Sequence, residues 1–225
     1  MSERTSTDPA TAPADAAVVD LLGMLAYGEM LAFDRMAADA RLAPDLTRRA
    51  VLSEMAAVEI TNYRRLAGRL VELGVDPEAA MAPFVAPLQA YHDSTDPKDW
   101  VEALTKAYVG DGIADDFFRE VAAFLRPPDR SLVLEVLHGN RYDDFAAEEI
   151  RRAIAADPKV ANRLSMWARR LVGEGLSQAQ RVAAERVTLA TLIMVGSGDQ
   201  AGVQALLKRL TSAHTARMAS VGLNN

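Results

Sequence analysis

The chain has 225 residues, 50% of them hydrophobic and 25% charged, which is ample apolar material for one sizeable core. Cysteine is absent, so disulfides, thiolate-bound zinc, iron–sulfur clusters and cysteine nucleophiles are all excluded. A formal net charge of -6 argues against a basic nucleic-acid binder, and no DNA partner is expected.

Residues 1–15, MSERTSTDPATAPAD, are rich in Ser, Thr, Pro and Ala and lack an apolar run before a cleavage site, so they read as a disordered tail and not a signal peptide. Over residues 16–41 apolar side chains recur at three and four (Leu22, Leu25, Phe33, Met36), and Glu29 falls on the same line. Pro44 and Asp45 punctuate, and a second helix runs over residues 46–73 to a stop at Gly74. The stretch 75–96 holds Pro77, Pro83 and Pro87 and predicts short helical pieces at most. A third helix starts near residues 97–100, with Asp96 as cap and Pro97 in the first turn, and stops before Pro127. The fourth spans 129–156, loosened around Gly139 and Asn140; the fifth runs from 157 to 195, and the sixth ends near Val221. Nothing reads as a strand. Gly28 and Glu29 interrupt the longest apolar run before it reaches the roughly 20 residues that cross a bilayer, so no membrane partner is expected and the cytoplasm is the expected compartment.

Two helices, a long proline-marked crossover and two more helices give an all-α layout, that of the ferritin-like four-helix bundle, with two additional C-terminal helices packed outside. Residues 16–225 are read as a single domain. The seam of the second helix is Leu52, Met55, Glu59, Asn62, Leu66; that of the third is Leu104, Tyr108, Asp111, Asp115, Phe118. Acids stand where a bundle puts leucine, and a buried carboxylate needs a partner, a proton or a metal.

A ferritin-like di-metal site takes a Glu from each of two helices and an ExxH pair from each of the other two. Glu29, Glu59, Asp115 and Glu148 are the candidate metal ligands, with Asn62, Asp111, Asp144, Arg151 and Tyr108 lining the site. Asn62 stands where the second helix would carry imidazole, and Arg151 makes the other slot ExxR; an amide is a poor transition-metal ligand and a guanidinium is none. Arg151 is therefore expected to close the site among Glu29, Glu59 and Glu148 by hydrogen bonds. A magnesium, manganese or calcium site of carboxylates alone stays open, as does a heptad phase one residue out that leaves these acids at a solvated bundle end. His92, His138 and His214 fall at no ligand spacing and are expected at the surface or as caps. On the fifth helix, Leu164, Trp167, Leu171, Glu174 and Gln178 predict a second polar network or a homodimer face.

The segments AYGEMLAFDRMAADARLAP, KAYVGDGIADDFFREVA, DDFAAEEIRRAI and RRLVGEGLSQAQRVAAER resemble the actinobacterial ferritin-like proteins grouped with the tRNA hydroxylase (MiaE-like) family, which acts on a thiomethylated, isopentenylated adenosine. The resemblance implies the same fold, Glu29, Glu59 and Glu148 at ligand-type positions, and Asp115 or Asp111 as the acid of the third helix. It implies a di-iron or manganese oxidoreductase of the hydroxylase or monooxygenase type if the centre is loaded, with tRNA as a partner by this resemblance only. The departures at Asn62 and Arg151 favour a degenerate site without metal, in a scaffold or binding protein that forms a homodimer.

Overall fold

The structure, a computed structural model, describes residues 15–137 and 140–224, with residues 140 and 141 described by their backbone alone. The expected N-terminal tail therefore lies, but for Asp15, outside the described residues, as does the expected loosening at Gly139. Helix starts are set by aspartates whose carboxylates accept backbone N–H groups that a first turn leaves unpaired. Asp15 caps α1 (Ala16–Asp39), Asp45 caps α2 (Leu46–Glu72), Asp76 caps α3 (Pro77–Ser94) and Asp99 caps α4 (Trp100–Lys106). Asp99, not Asp96, thus opens the third bundle helix. A π turn, Ala107–Asp111, leads from α4 into α5 (Gly112–Ala122). Then come α6 (Asp129–Val136), α7 (Asn140–Ala156), α8 (Lys159–Glu185), α9 (Val187–Ser197) and α10 (Gln200–Ser220), the last capped by Asp199. Among the described residues the chain is helical and carries no strand.

The bundle is α1, α2, α4 with α5, and α6 with α7. Contacts of α2 with the last pair run antiparallel: Arg69 meets Asp129, Asn62 meets Val136 and Arg48 meets Glu149. Helices α8 to α10 pack outside, against α3, α4, α5 and α1.

Two expectations fail. The crossover is one 18-residue helix, α3, with Pro83 and Pro87 inside it. Each proline removes one helical N–H; the two are four apart, and Ala80, Met81, Phe84 and Pro87 are buried, so packing on α1 outweighs the two lost hydrogen bonds. The fifth helix is broken at Arg186 (φ -119°, ψ 76°) into α8 and α9. There Arg186 and Thr188 both bond Asp20, an acid buried on α1, and satisfying that carboxylate is what the break achieves. Residues 16–42 are long and apolar enough, by length and composition, to cross a membrane, which the sequence reading did not allow for. In this fold their apolar face supplies the core.

The hydrophobic core is two clusters, and the division between them falls at one depth in every bundle helix. On α1 the clusters hold Leu21 to Ala26 and Met36 to Ala40, leaving Glu29 between them. On α2 they hold Leu52 to Ala56 and Leu66 to Leu70, leaving Glu59 and Asn62. On the third bundle helix they hold Trp100 to Val109 and Phe118 to Leu125, leaving Asp111 and Asp115. On the fourth the division coincides with the end of α6, where Leu137 turns extended (ψ 149°).

Candidate functional site

A polar layer thus crosses the bundle between two apolar cores. Glu29, Glu59, Asn62 and Asp115 are all buried in it, and the three carboxylates come from three different helices. The three-residue spacing of Glu59 and Asn62 brings both to one face of α2. Asn62 Nδ2 donates to Glu29 Oε2 at 3.3 Å and to the Val136 carbonyl at 3.0 Å. Both partners are acceptors, so the amide must present its NH2 there, whichever way round Asn oxygens and nitrogens are assigned. The Val136 carbonyl is free to accept because α6 ends on it and leaves its last carbonyls without helical partners.

The fourth helix differs from expectation. Glu148 is exposed and pairs with Arg152 at 2.9 Å. Asp144 and Arg151 are exposed too, and Arg151 Nε donates to the Ser220 carbonyl at 3.2 Å on α10, so it does not close the acid layer. The chain restarts its helical phase after the break at Leu137, and a heptad extrapolated from residue 129 points to the wrong face. The inward side chains are Tyr142, Ala146, Ala147, Glu149 and Ile150. Glu149 lies at another depth and has its own partners: Arg48 Nε donates at 2.6 Å, Trp100 Nε1 at 3.2 Å, and Arg152 also pairs with it. Burial alone would raise its pKa, but the Arg48 and Trp100 hydrogen bonds and the two guanidinium charges hold it below the usual range.

On the third bundle helix Asp115 is the buried acid and Asp111, at the end of the π turn, is half-buried. The Tyr108 hydroxyl shares a hydrogen bond with Ser220 Oγ at 2.9 Å and turns to α10, not to the acids. Tyr142 is a buried phenol that feels their charge: burial, then the charges of Asp111, Glu59 and Asp39, push its pKa well up. His214 is buried on α10 and His92 half-buried on α3, against the expectation of surface or capping roles, and His138 lies outside the described residues. On α8 the Trp167 indole donates to the Glu102 carbonyl at 3.1 Å and Arg181 pairs with Glu185 on the surface.

The donor chemistry of the described residues does not fit a histidine-supported di-iron centre. The second-helix ligand slot presents an N–H donor toward a carboxylate, and among the described residues no three His, Asp or Glu side chains are gathered to hold a metal ion.

Asn62→Ala removes one donor from the Glu29 carboxylate and one from the Val136 carbonyl, and is expected to cost about 1–3 kcal/mol in urea unfolding; Glu148→Ala and Arg151→Met, on the outer face, are expected to stay within about 0.5 kcal/mol. Asp39, at the end of α1, is raised from 3.8 to about 6 by burial, with Lys106 pulling the other way. A raised pKa means stability that is complete below 3.8 and lost as pH rises through about 6. Asp39→Asn is expected to flatten that decline, read as unfolding free energy against pH between about 4 and 7.

The residues 12–196 match the family model described as a ferritin-like domain of actinomycetes. No curated protein matches the chain. Among solved structures, a Synechococcus protein described as having aldehyde deformylating oxidase activity superposes with a TM-score of 0.75 at 20% identity, over 97% of this chain and 95% of that one. At that identity the likeness speaks for the fold alone. With the family match spanning most of its length, the chain belongs to the ferritin-like domain family of actinomycetes.

Proposed function

We propose that this chain is a ferritin-like bundle whose ancestral metal layer has become a hydrogen-bonded polar layer, and that it serves as a helical scaffold or binding protein without redox chemistry of its own. The observation that carries this reading is the Asn62 amide, held between Glu29 and the Val136 carbonyl. An N–H donor aimed at a carboxylate stabilises the anion directly, which is the task a bound cation performs elsewhere in the fold. The outward placement of Glu148 and Asp144 supports the same reading, because it removes the two acids of the fourth helix that the sequence offered as ligands or site lining.

A second reading is a carboxylate-bridged iron or manganese oxidoreductase, on a modified tRNA if the family resemblance extends to substrate. It is favoured by the burial of Glu29, Glu59 and Asp115 on three helices at one depth. The net charge of -6 gives no support to the tRNA part of it.

Metal analysis separates the two. Protein purified without chelator and incubated anaerobically with ferrous iron or Mn(II), then desalted, is expected to keep less than about 0.1 metal per chain. Retention of about two per chain, the content of a di-metal site, overturns the scaffold reading.

A further inference from the structure

Helix α9 alone among the described helices has no charged side chain. Its inner face is fixed by a close approach: a side chain at Gly196 would collide with the Phe124 ring, while Leu189 is buried and Leu192 and Ile193 pack on the same core cluster. That orientation leaves Val187, Thr191, Met194 and Val195, one stripe at helical spacing, in solvent, with Val187 68% and Val195 72% exposed. Five of its eleven residues are β-branched and none can form an i, i+4 ion pair, so packing must hold this helix where local preference does not. The chain itself packs only one of its two apolar faces.

Beside the stripe runs a groove of about 380 Å3, walled by Ala16 and Ala17 at the start of α1 and by Thr188, Leu192 and Val195 of α9. The charged residues that flank stripe and groove are committed within the chain: Asp15 caps α1, Asp199 caps α10, Arg186 bonds Asp20 and Arg181 pairs with Glu185. A surface for anionic lipid or an acidic protein would offer free lysine or arginine at its rim, and this one offers none among the described residues. Residues 1–14 reach the groove at Asp15 but include no Val, Leu, Ile, Phe, Tyr or Trp, so they bring nothing to fill it. The fifth-helix stripe read from the sequence as a homodimer face is spent inside the chain, Leu164 and Leu171 being buried. What complements an uncharged apolar patch is a second uncharged apolar patch, and on a chain of net charge -6 this one is at hand in every other copy.

We infer that α9 is a self-association surface whose partner is a second copy of this chain: the copies meet antiparallel across a twofold axis near Thr191, each laying its exposed stripe along the other's groove. A twofold contact needs one patch to hold both a ridge and the recess that takes it, and here the ridge is itself a wall of the recess. Antiparallel pairing also sets the positive amino end of one α9 against the negative carboxyl end of the other. An 11-residue helix is about 16 Å long, so the contact falls below the roughly 800 Å2 per partner of a standard interface; the dimer is reversible, with a dissociation constant on the order of 10–100 µM. The pairing goes beyond the scaffold reading and does not depend on it, because α9 lies outside the bundle and the polar layer takes no part in the contact.

Sedimentation velocity of the full chain between about 2 and 200 µM reads the association, and the weight-average mass is expected to rise from one chain toward two across that range. Val187→Lys and Val195→Lys, at positions whose exposure leaves the core intact, each put two ammonium groups into a symmetric apolar contact and are expected to weaken it about tenfold or more. Leu46→Lys, 80% exposed at the start of α2, is expected to leave it unchanged. Hydrogen exchange locates the contact: the amides of residues 187–197 are expected to slow as concentration rises, and those of α7 to keep their rates. A wild type that stays a single chain at about 200 µM overturns the inference, and so does association that both α9 variants leave intact, which puts the contact elsewhere. A single chain that co-sediments with neutral phosphatidylcholine vesicles overturns it too, with a lipid surface as the occupant of α9. The metal content of the same preparation is a separate reading: it decides the scaffold function and leaves the result on association as it stands.

Discussion

A layer of carboxylates between two apolar cores has to be neutralised within the protein, and that requirement shapes the middle of this bundle. Each acid transferred from water into such a layer costs several kcal/mol unless it is met by hydrogen-bond donors or opposite charge. Asn62 meets Glu29 and at the same time takes up the Val136 carbonyl, so one amide satisfies an acid from α1 and a helix end from α6. The end of α6 and the neutralisation of Glu29 are thereby linked. Were the helix continuous through residue 137, Val136 would have an intrahelical partner and Asn62 would have one acceptor fewer.

The same requirement recurs away from the layer and is met there by guanidinium groups. Asp20 is buried on α1 and is reached by Arg186 only because the long outer helix breaks at that residue. Glu149 is buried on α7 and is reached by Arg48 from the start of α2, with the Trp100 indole completing it. Asp129 at the head of α6 takes Arg69 from α2. The Arg48 and Arg69 pairs tie α2 to the fourth bundle helix at both ends, and between them Asn62 of the same helix donates to Glu29 in the polar layer. Arginine suits the partly exposed ends, where its fork can be approached from solvent.

The sequence was informative where helices are regular. On α1 and α2 the three-and-four spacing runs unbroken, and Glu29, Glu59 and Asn62 were readable as inward-facing because nothing resets the phase between them and their flanking leucines. Asp115 was readable for the same reason, being four residues past the π turn on a strongly amphipathic helix. Glu148, Asp144 and Arg151 were misplaced because the break after Val136 discards the upstream phase, and no local signal gives the new one. The burial of Lys106 had no signal: α4 is covered by α8 from outside as well as by α7 within the bundle, so Glu102 through Lys106 are all buried and the polar–apolar pattern that marks a face is absent. Glu149, one residue from the expected acid, was the inward carboxylate, and its separation from Arg48 by 101 positions hid the pairing. The helix α3 was masked by its prolines, whose local cost is outweighed only by packing that no local pattern displays.

Anomalous diffraction from crystals soaked in Mn(II) addresses the polar layer most directly, since it locates a cation without reference to activity. The account predicts no anomalous peak within about 3 Å of the Glu29, Glu59 or Asp115 carboxylates, with the Asn62 amide still between Glu29 and the Val136 carbonyl. A pair of peaks about 3.5–4 Å apart, bridged by Glu29 and Glu59 and with Asn62 turned away, would contradict it.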